Sequence, residues 1–236
     1  MGELVTNPNP QRLTSRLLHN PQRTADNVIT FSGSESGAKS IKNVLFGDVF
    51  LCSGQSNMEF SVNGAFNATA EIADSANYPG LRLATVQKVP SNTPLANTTS
   101  KAPYAWAVSG PAAMQPVGGA GFSYFSATCY FAGRDIYKGL GSTIPIGLVA
   151  SDWGGQTVET FSSPDALADA TCGGTVTAEE GETLAYHDDK RRRLPGASQL
   201  WNGMIYPIVH MRFAAAFWYQ GEANAGNPPS YACRTF

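Results

Sequence analysis

Gly47-Asp48-Val49-Phe50-Leu51-Cys52-Ser53-Gly54-Gln55-Ser56-Asn57-Met58 holds the strongest structural signal in the chain. Val49 to Cys52 is a short apolar run with the length and composition of a buried strand. It breaks off into small and polar residues, Ser53 to Asn57. A serine at the sharp exit of a buried strand, beside a glycine that permits tight turning, is how α/β esterases expose a nucleophilic hydroxyl. Met58 stands where the Gly-x-Ser-x-Gly spelling has its second glycine. A lone serine in such a place also serves as an ordinary turn or helix cap. The rest of the chain decides between the two.

Two more apolar runs end the same way. Ile146 to Ala150 leads into Ser151-Asp152-Trp153-Gly154-Gly155, and Phe213 to Trp218 leads into Tyr219-Gln220-Gly221-Glu222. Between the runs lie helical patterns. Asn67 to Asn77 reads as a short helix closed by Tyr78-Pro79-Gly80, followed by an alternating strand from Leu81 to Val86. Ser123 to Leu140 is the clearest helix, with Phe125, Cys129, Phe131, Ala132, Ile136 and Leu140 on one stripe. Leu200 to Val209 reads as another. Strands alternating with helices predict an α/β domain with a mostly parallel sheet covered on both sides. Residues 1–40, polar and rich in Asn-Pro and Gly-Ser, read as a poorly ordered remnant, and 41–236 as the domain. Residues 88–121 and 162–198 read as long loops.

Composition narrows the function. A length of 236 residues with 42% hydrophobic content suits one large α/β domain. Charged residues make up 14% and the formal net charge is −2, which offers no basic surface for nucleic acid and no reason for a membrane partner. No apolar stretch approaches the length that spans a bilayer. Four cysteines, Cys52, Cys129, Cys172 and Cys233, show no metal-type spacing. Cys52 and Cys129 read as buried free thiols, and Cys172 and Cys233 as the better disulfide pair in an oxidising compartment. Sequons at Asn67-Ala68-Thr69 and Asn97-Thr98-Thr99 point to glycosylation of Asn67 and Asn97, hence to a secreted or lysosomal protein. Met1-Gly2-Glu3-Leu4 is no signal segment, so either the leader lies outside this chain, which is the expectation, or the chain is cytosolic.

In a parallel sheet the carboxyl ends of the strands share one edge, where ligands bind. The three polar, glycine-bearing turns should therefore form one site. Acyl transfer through a serine needs a nucleophile, donors for the developing oxyanion and a base. Ser56 fits the nucleophile. The backbone N–H groups of Ser56 and Gly155 fit two oxyanion donors, and the Gln220 side-chain amide a third, with Asn224 also near enough to serve. Glu222 and Asn224 are candidate contacts for substrate hydroxyls, although Glu222 fits equally a role in holding loop backbone. Asp48 reads as structural, Glu159 as structural before a contact for substrate hydroxyls, and Trp153, Trp218 and Tyr219 as core or as platforms for a sugar ring. Of the histidines, His19 and His210 read as surface or packing residues. His187, with Asp188 and Asp189, could only superficially complete a Ser–His–Asp set.

Leu45 to Met58 closely resembles the active-serine block of the sialate O-acetylesterase family, a family of SGNH-type carbohydrate esterases. Pro145 to Ser163 resembles its second block, and Leu200 to Asn224, with Phe217-Trp218-Tyr219-Gln220-Gly221-Glu222-Ala223-Asn224, its third. The resemblance implies a three-layer, flavodoxin-like SGNH fold and metal-free removal of acetyl groups from sugar hydroxyls, with O-acetylated sialic acid as the expected substrate. It implies Ser56 as nucleophile and Gly155 and Gln220 in the oxyanion hole. The family takes its base from an Asp-x-x-His-type segment downstream of the third block, and no such segment occurs before Phe236. The expectation is a chain truncated at both ends and weak or inactive by itself. Two other readings stay open: an acetylesterase acting on another polysaccharide such as xylan, and a non-catalytic carbohydrate-binding isoform.

Overall fold

The computed structural model describes residues 27–33, 37–98, 105–114, 125–168 and 195–225. In chain order the strands are β1 (Asn27–Gly33), β2 (Gly37–Val44), β3 (Asp48–Gly54), β4 (Leu81–Thr85), β5 (Ala107–Val108), β6 (Ile146–Asp152) and β7 (Ala215–Tyr219). The helices are α1 (Ser56–Glu59), α2 (Ala68–Asp74), α3 (Ala127–Gly139), α4 (Val158–Phe161) and α5 (Pro164–Ala168).

The apolar run before Ser56 becomes β3, an interior strand. It pairs in parallel with β6 from Asp48↔Ile146 to Gly54↔Asp152, and with β7 from Phe50↔Ala215 to Gly54↔Tyr219. β4 pairs in parallel with the other side of β6, and β5 closes that edge antiparallel, giving the order β5-β4-β6-β3-β7. The mostly parallel α/β sheet is as expected. Its parallel strands stand in chain order 2-3-1-4, where a flavodoxin-like sheet starts 2-1-3.

Period-two alternation sends the strand side chains to two faces. Phe50, Cys52, Leu81, Leu83, Leu148 and Ala150 pack with Ala127, Cys129, Tyr130 and Tyr137 of α3. Val49, Leu51 and Val149 meet Phe161, Leu200, Met204 and Ile208 in a second cluster. Both faces are therefore covered, and the sheet is the middle of three layers.

Four local readings change. Residues 27–40 fall in the expected poorly ordered remnant, yet β1 and β2 form an antiparallel hairpin through most of that stretch, with Phe31↔Lys39 and Ile29↔Ile41 opposed. The expected start of α3 at Ser123 lies outside the described residues. The helix begins at Ala127 because Ser126 Oγ accepts the Cys129 N–H at 3.1 Å, a side-chain N-cap. The Leu200–Val209 helix is irregular, a π-turn over Trp201–Ile205 followed by a 3-10 turn over Tyr206–Ile208. Pro207 has no N–H to donate into an α-helical ladder there.

The fourth change is covalent. Cys52 and Cys129 are bonded to each other, not free thiols, with Cα atoms 5.7 Å apart. Parity with strand neighbours places Cys52 on the α3 face of the sheet, and the helical stripe places Cys129 on the face of α3 that meets it. The two thiols thus stand opposite each other in the core. Reading each residue only as apolar filler missed that juxtaposition. Cys172 and Cys233 lie outside the described residues.

The bridge joins positions 77 residues apart, so in the chain-entropy model it stabilises the fold by about 4 kcal/mol. Replacing both Cys52 and Cys129 by Ala should lower Tm by on the order of 10 °C in a non-reducing melt. A melt unchanged by the double substitution would count against the bridge.

Candidate active site

β3 leaves the sheet at Gly54 with φ of 139°. A Cβ there would lie 2.1 Å from the Tyr219 carbonyl oxygen, so only glycine lets the end of β3 lie this close to β7. Gln55 N–H donates to that same Tyr219 oxygen at 2.9 Å. The chain then winds at once into α1, with Met58 and Glu59 N–H donating to Gln55 O at 2.8 and 2.9 Å. Ser56 is the first residue of α1 and is half-buried. Gln55 Nε2 lies 3.5 Å from Ser56 Oγ, the outer limit of a hydrogen bond. The backbone N–H of Ser56 has no partner among the described residues.

The end of β6 lies against this turn. Trp153 N–H donates to Gly54 O at 3.0 Å. A Cβ on Gly154 would stand 3.6 Å from Ser56 Cβ and 2.7 Å from Glu59 Oε2, so the glycine lets the turn rest on the serine helix. Gly155 follows with φ of 73°, in the left-handed region that favours glycine. It is exposed, and its N–H has no partner among the described residues.

The third strand end supplies a frame. Gln220 Nε2 reaches Gln55 Oε1 at 3.1 Å, Gln156 O at 3.2 Å and Asn224 Oδ1 at 2.6 Å. Two amide hydrogens facing three acceptors leave none for a ligand. The amide within reach of Ser56 Oγ is Gln55, which sequence reasoning left without a role although it directly precedes the serine. Gln55 Oε1 also accepts the Ala223 N–H at 3.1 Å, so Gln55 joins the serine turn to the Gln-Gly-Glu turn.

Asn224 is buried, accepting from Val158 N–H at 3.0 Å and donating to Glu159 at 3.0 Å. These bonds make it part of the frame and not a substrate contact. Glu159 is buried in the same frame, as expected for a structural carboxylate. Glu222 is exposed and accepts from Asn57 Nδ2 at 2.7 Å, next in sequence to Ser56. Trp218 and Tyr219, each 46% exposed, lie on the edge strand, with Trp218 edge-on to Phe161. The Asn67 and Asn97 side chains are exposed. His210, exposed just before β7, stands at the amino edge of the sheet, across from Ser56. His19 and His187 lie outside the described residues. Among the described residues no group of three or more His, Cys, Asp or Glu could hold a metal ion.

Charge gathers behind the serine. Glu59, on the same turn of helix as Ser56, pairs with Lys88 and accepts the Gly154 N–H. Asp152, the last residue of β6, is buried, and its Oδ2 has no hydrogen-bond partner among the described residues. Burial pushes its carboxyl up to about 7, with the Lys88 charge pulling the other way. A carboxyl raised in the folded state favours folding while protonated, and that contribution is lost as pH rises through the folded value. Wild-type stability should therefore fall between about pH 4 and 7, the span from the ordinary value of 3.8 to about 7. Asp152→Asn should flatten that fall and raise Tm at pH 8 by about 5 °C or more. Thermal melts at pH 5 and pH 8 check it; parallel pH dependence in the two proteins would be the opposite result.

No family model matches the chain. It is similar to the sialate O-acetylesterases of Mus musculus (36% identical over 214 residues), Rattus norvegicus (38% over 215) and Homo sapiens (36% over 198), each match taking in 82% of this chain. The chain spans 34–38% of the length of these relatives. A carbohydrate acetylesterase from Xanthomonas citri shares its architecture, with a TM-score of 0.65 at 28% identity over 88% of this chain and 40% of that one. Across 82% of its length, then, the chain is a homologue of the sialate O-acetylesterases, built on the α/β fold of a carbohydrate acetylesterase.

Proposed function

We propose that the chain carries the serine end of a carbohydrate O-acetylesterase centre, with O-acetylated sialic acid as its substrate class. The observation that carries the reading is the half-buried Ser56 hydroxyl at the carboxyl end of an interior strand, beside two backbone N–H groups, Ser56 and Gly155, that no described residue occupies. In this reading Ser56 Oγ attacks the acetyl carbonyl and loses its proton to a base. The Ser56 and Gly155 amides receive the oxyanion. The sugar alkoxide leaves and takes a proton, and water releases acetate from the acetyl-serine. Gln220 and Gln55 hold the turns in register instead of donating to the oxyanion. The described residues place no imidazole at Ser56, so His187 is the first residue to substitute in the search for the base. The Cys52–Cys129 bridge and the exposed sequon residues Asn67 and Asn97 support a secreted or lysosomal setting.

A second reading, a neutral acetylated polysaccharide such as xylan, is favoured by one feature. Glu222, held by Asn57 next to Ser56, can accept from a sugar hydroxyl and would repel a carboxylate brought close to it.

Acetate release from O-acetylated sialic acid and from acetylated xylan tests both. Ser56→Ala should abolish release on either substrate. Gly155→Ala, which forces an L side chain into left-handed backbone, should lower kcat by about a hundredfold with a smaller change in KM. Release undiminished in Ser56→Ala would overturn the reading, and release from xylan alone would select the second substrate.

A further inference from the structure

Of the two glycines at the end of β6, only Gly155 has an N–H without a partner among the described residues. The neighbouring Gly154 N–H is taken by Glu59, three residues after Ser56 on α1. That one bond joins the helix bearing the nucleophile to the turn bearing the second open amide. The contact is close on all sides, since a Cβ on Gly154 would stand 3.5 Å from Ser56 Cα and 2.7 Å from the Glu59 carboxylate. Lys88, just past β4, pairs with Glu59 from the third side, and the Glu59 side chain is only 11% exposed. Elements following β3, β4 and β6 thus meet on a single carboxylate.

We infer that Glu59 is a positioning residue for acyl transfer, its carboxylate holding the Gly154–Gly155 turn so that the Gly155 amide faces the Ser56 hydroxyl. The inference rests on the esterase reading of Ser56. Glu59 touches no reacting atom and acts through the Gly154 amide. With that amide bonded to Glu59, the peptide that follows, which carries the Gly155 N–H, is held against the serine helix. Lys88 neutralises the carboxylate, which leaves the oxyanion without an uncompensated negative charge beside it. Loss of this hold would misplace one of the two open donors without emptying the binding cleft, a change felt in kcat and not in KM.

The test compares wild type, Glu59→Ala, Glu59→Gln and Glu59→Asp by p-nitrophenyl acetate kinetics and by hydrogen exchange at the Gly154 amide. Glu59→Gln keeps an acceptor oxygen in place; Glu59→Asp draws the carboxylate back by one methylene and stands in for Glu59→Ala should that variant not fold. The expected result is a kcat lowered tenfold to a hundredfold in Glu59→Ala and Glu59→Asp with KM little changed, and recovery to within about threefold of wild type in Glu59→Gln. Gly154 exchange should accelerate in the first two and stay slow in the third. Wild-type kcat in Glu59→Ala, or Gly154 exchange indifferent to residue 59, would overturn the inference. Turnover that persists without Ser56 would instead fail the esterase reading; where the wild type shows none, as expected of a chain without its base, the exchange measurements alone uphold or overturn the hold on Gly154.

Discussion

The approach of β3 to β7 at Gly54 and Tyr219 sets the geometry of everything above the sheet edge. An added Cβ at Gly54 would lie 2.1 Å from the Tyr219 carbonyl, and that carbonyl also accepts the Gln55 N–H. β3 must therefore turn sharply, and Ser56 emerges as the first residue of α1 and not as a further strand residue. β6 then lies along the opposite side of β3 with Trp153 N–H on Gly54 O, which carries Gly154 onto the serine helix. One glycine in a close-packed strand end thus brings three turns together.

Behind the turns the polar groups divide into two networks with different physics. Gln55, Gln220, Asn224 and Glu159 exchange hydrogen bonds among themselves and with backbone. Such a network holds loops in one arrangement, because breaking any bond leaves a partly buried amide unsatisfied. Glu59, Lys88 and Asp152 form the other, in which charge dominates. The Lys88–Glu59 pair offsets the cost of holding both groups near the core, whereas Asp152 keeps a buried oxygen without a partner among the described residues and avoids ionisation at mildly acidic pH. The hydrogen-bonded network sets the shape of the site, and the charged one ties its stability to pH.

Much of this was legible in the sequence where the signal is local. Short apolar runs ending in glycine-bearing turns identified β3, β6 and β7 and placed Ser56 and Gly155 at one edge, since parallel strands leave no other arrangement of their carboxyl ends. What depends on side-chain direction across the fold was not legible. Gln220 was expected to face a ligand, but its amide turns inward to Gln55, Gln156 and Asn224. Asn224 was expected near substrate and is buried against Glu159. Cys52 and Cys129 looked like ordinary core residues, because neither strand nor helix periodicity states which helix residue lies over which strand residue. The hairpin of β1 and β2 was missed for a related reason. Its strands are mostly exposed and polar, so they lack the hydrophobic alternation by which a strand is recognised.

The central claim is that Ser56 Oγ attacks while the Ser56 and Gly155 amides receive the oxyanion. A crystal structure of the chain after reaction with a fluorophosphonate tests it most directly. The account predicts a phosphorus bonded to Ser56 Oγ with its non-ester oxygen within hydrogen-bond distance of both amides, roughly 2.7–3.1 Å. A phosphonyl group on another residue, or one on Ser56 whose oxygen turns to solvent while both amides stay empty, would contradict it.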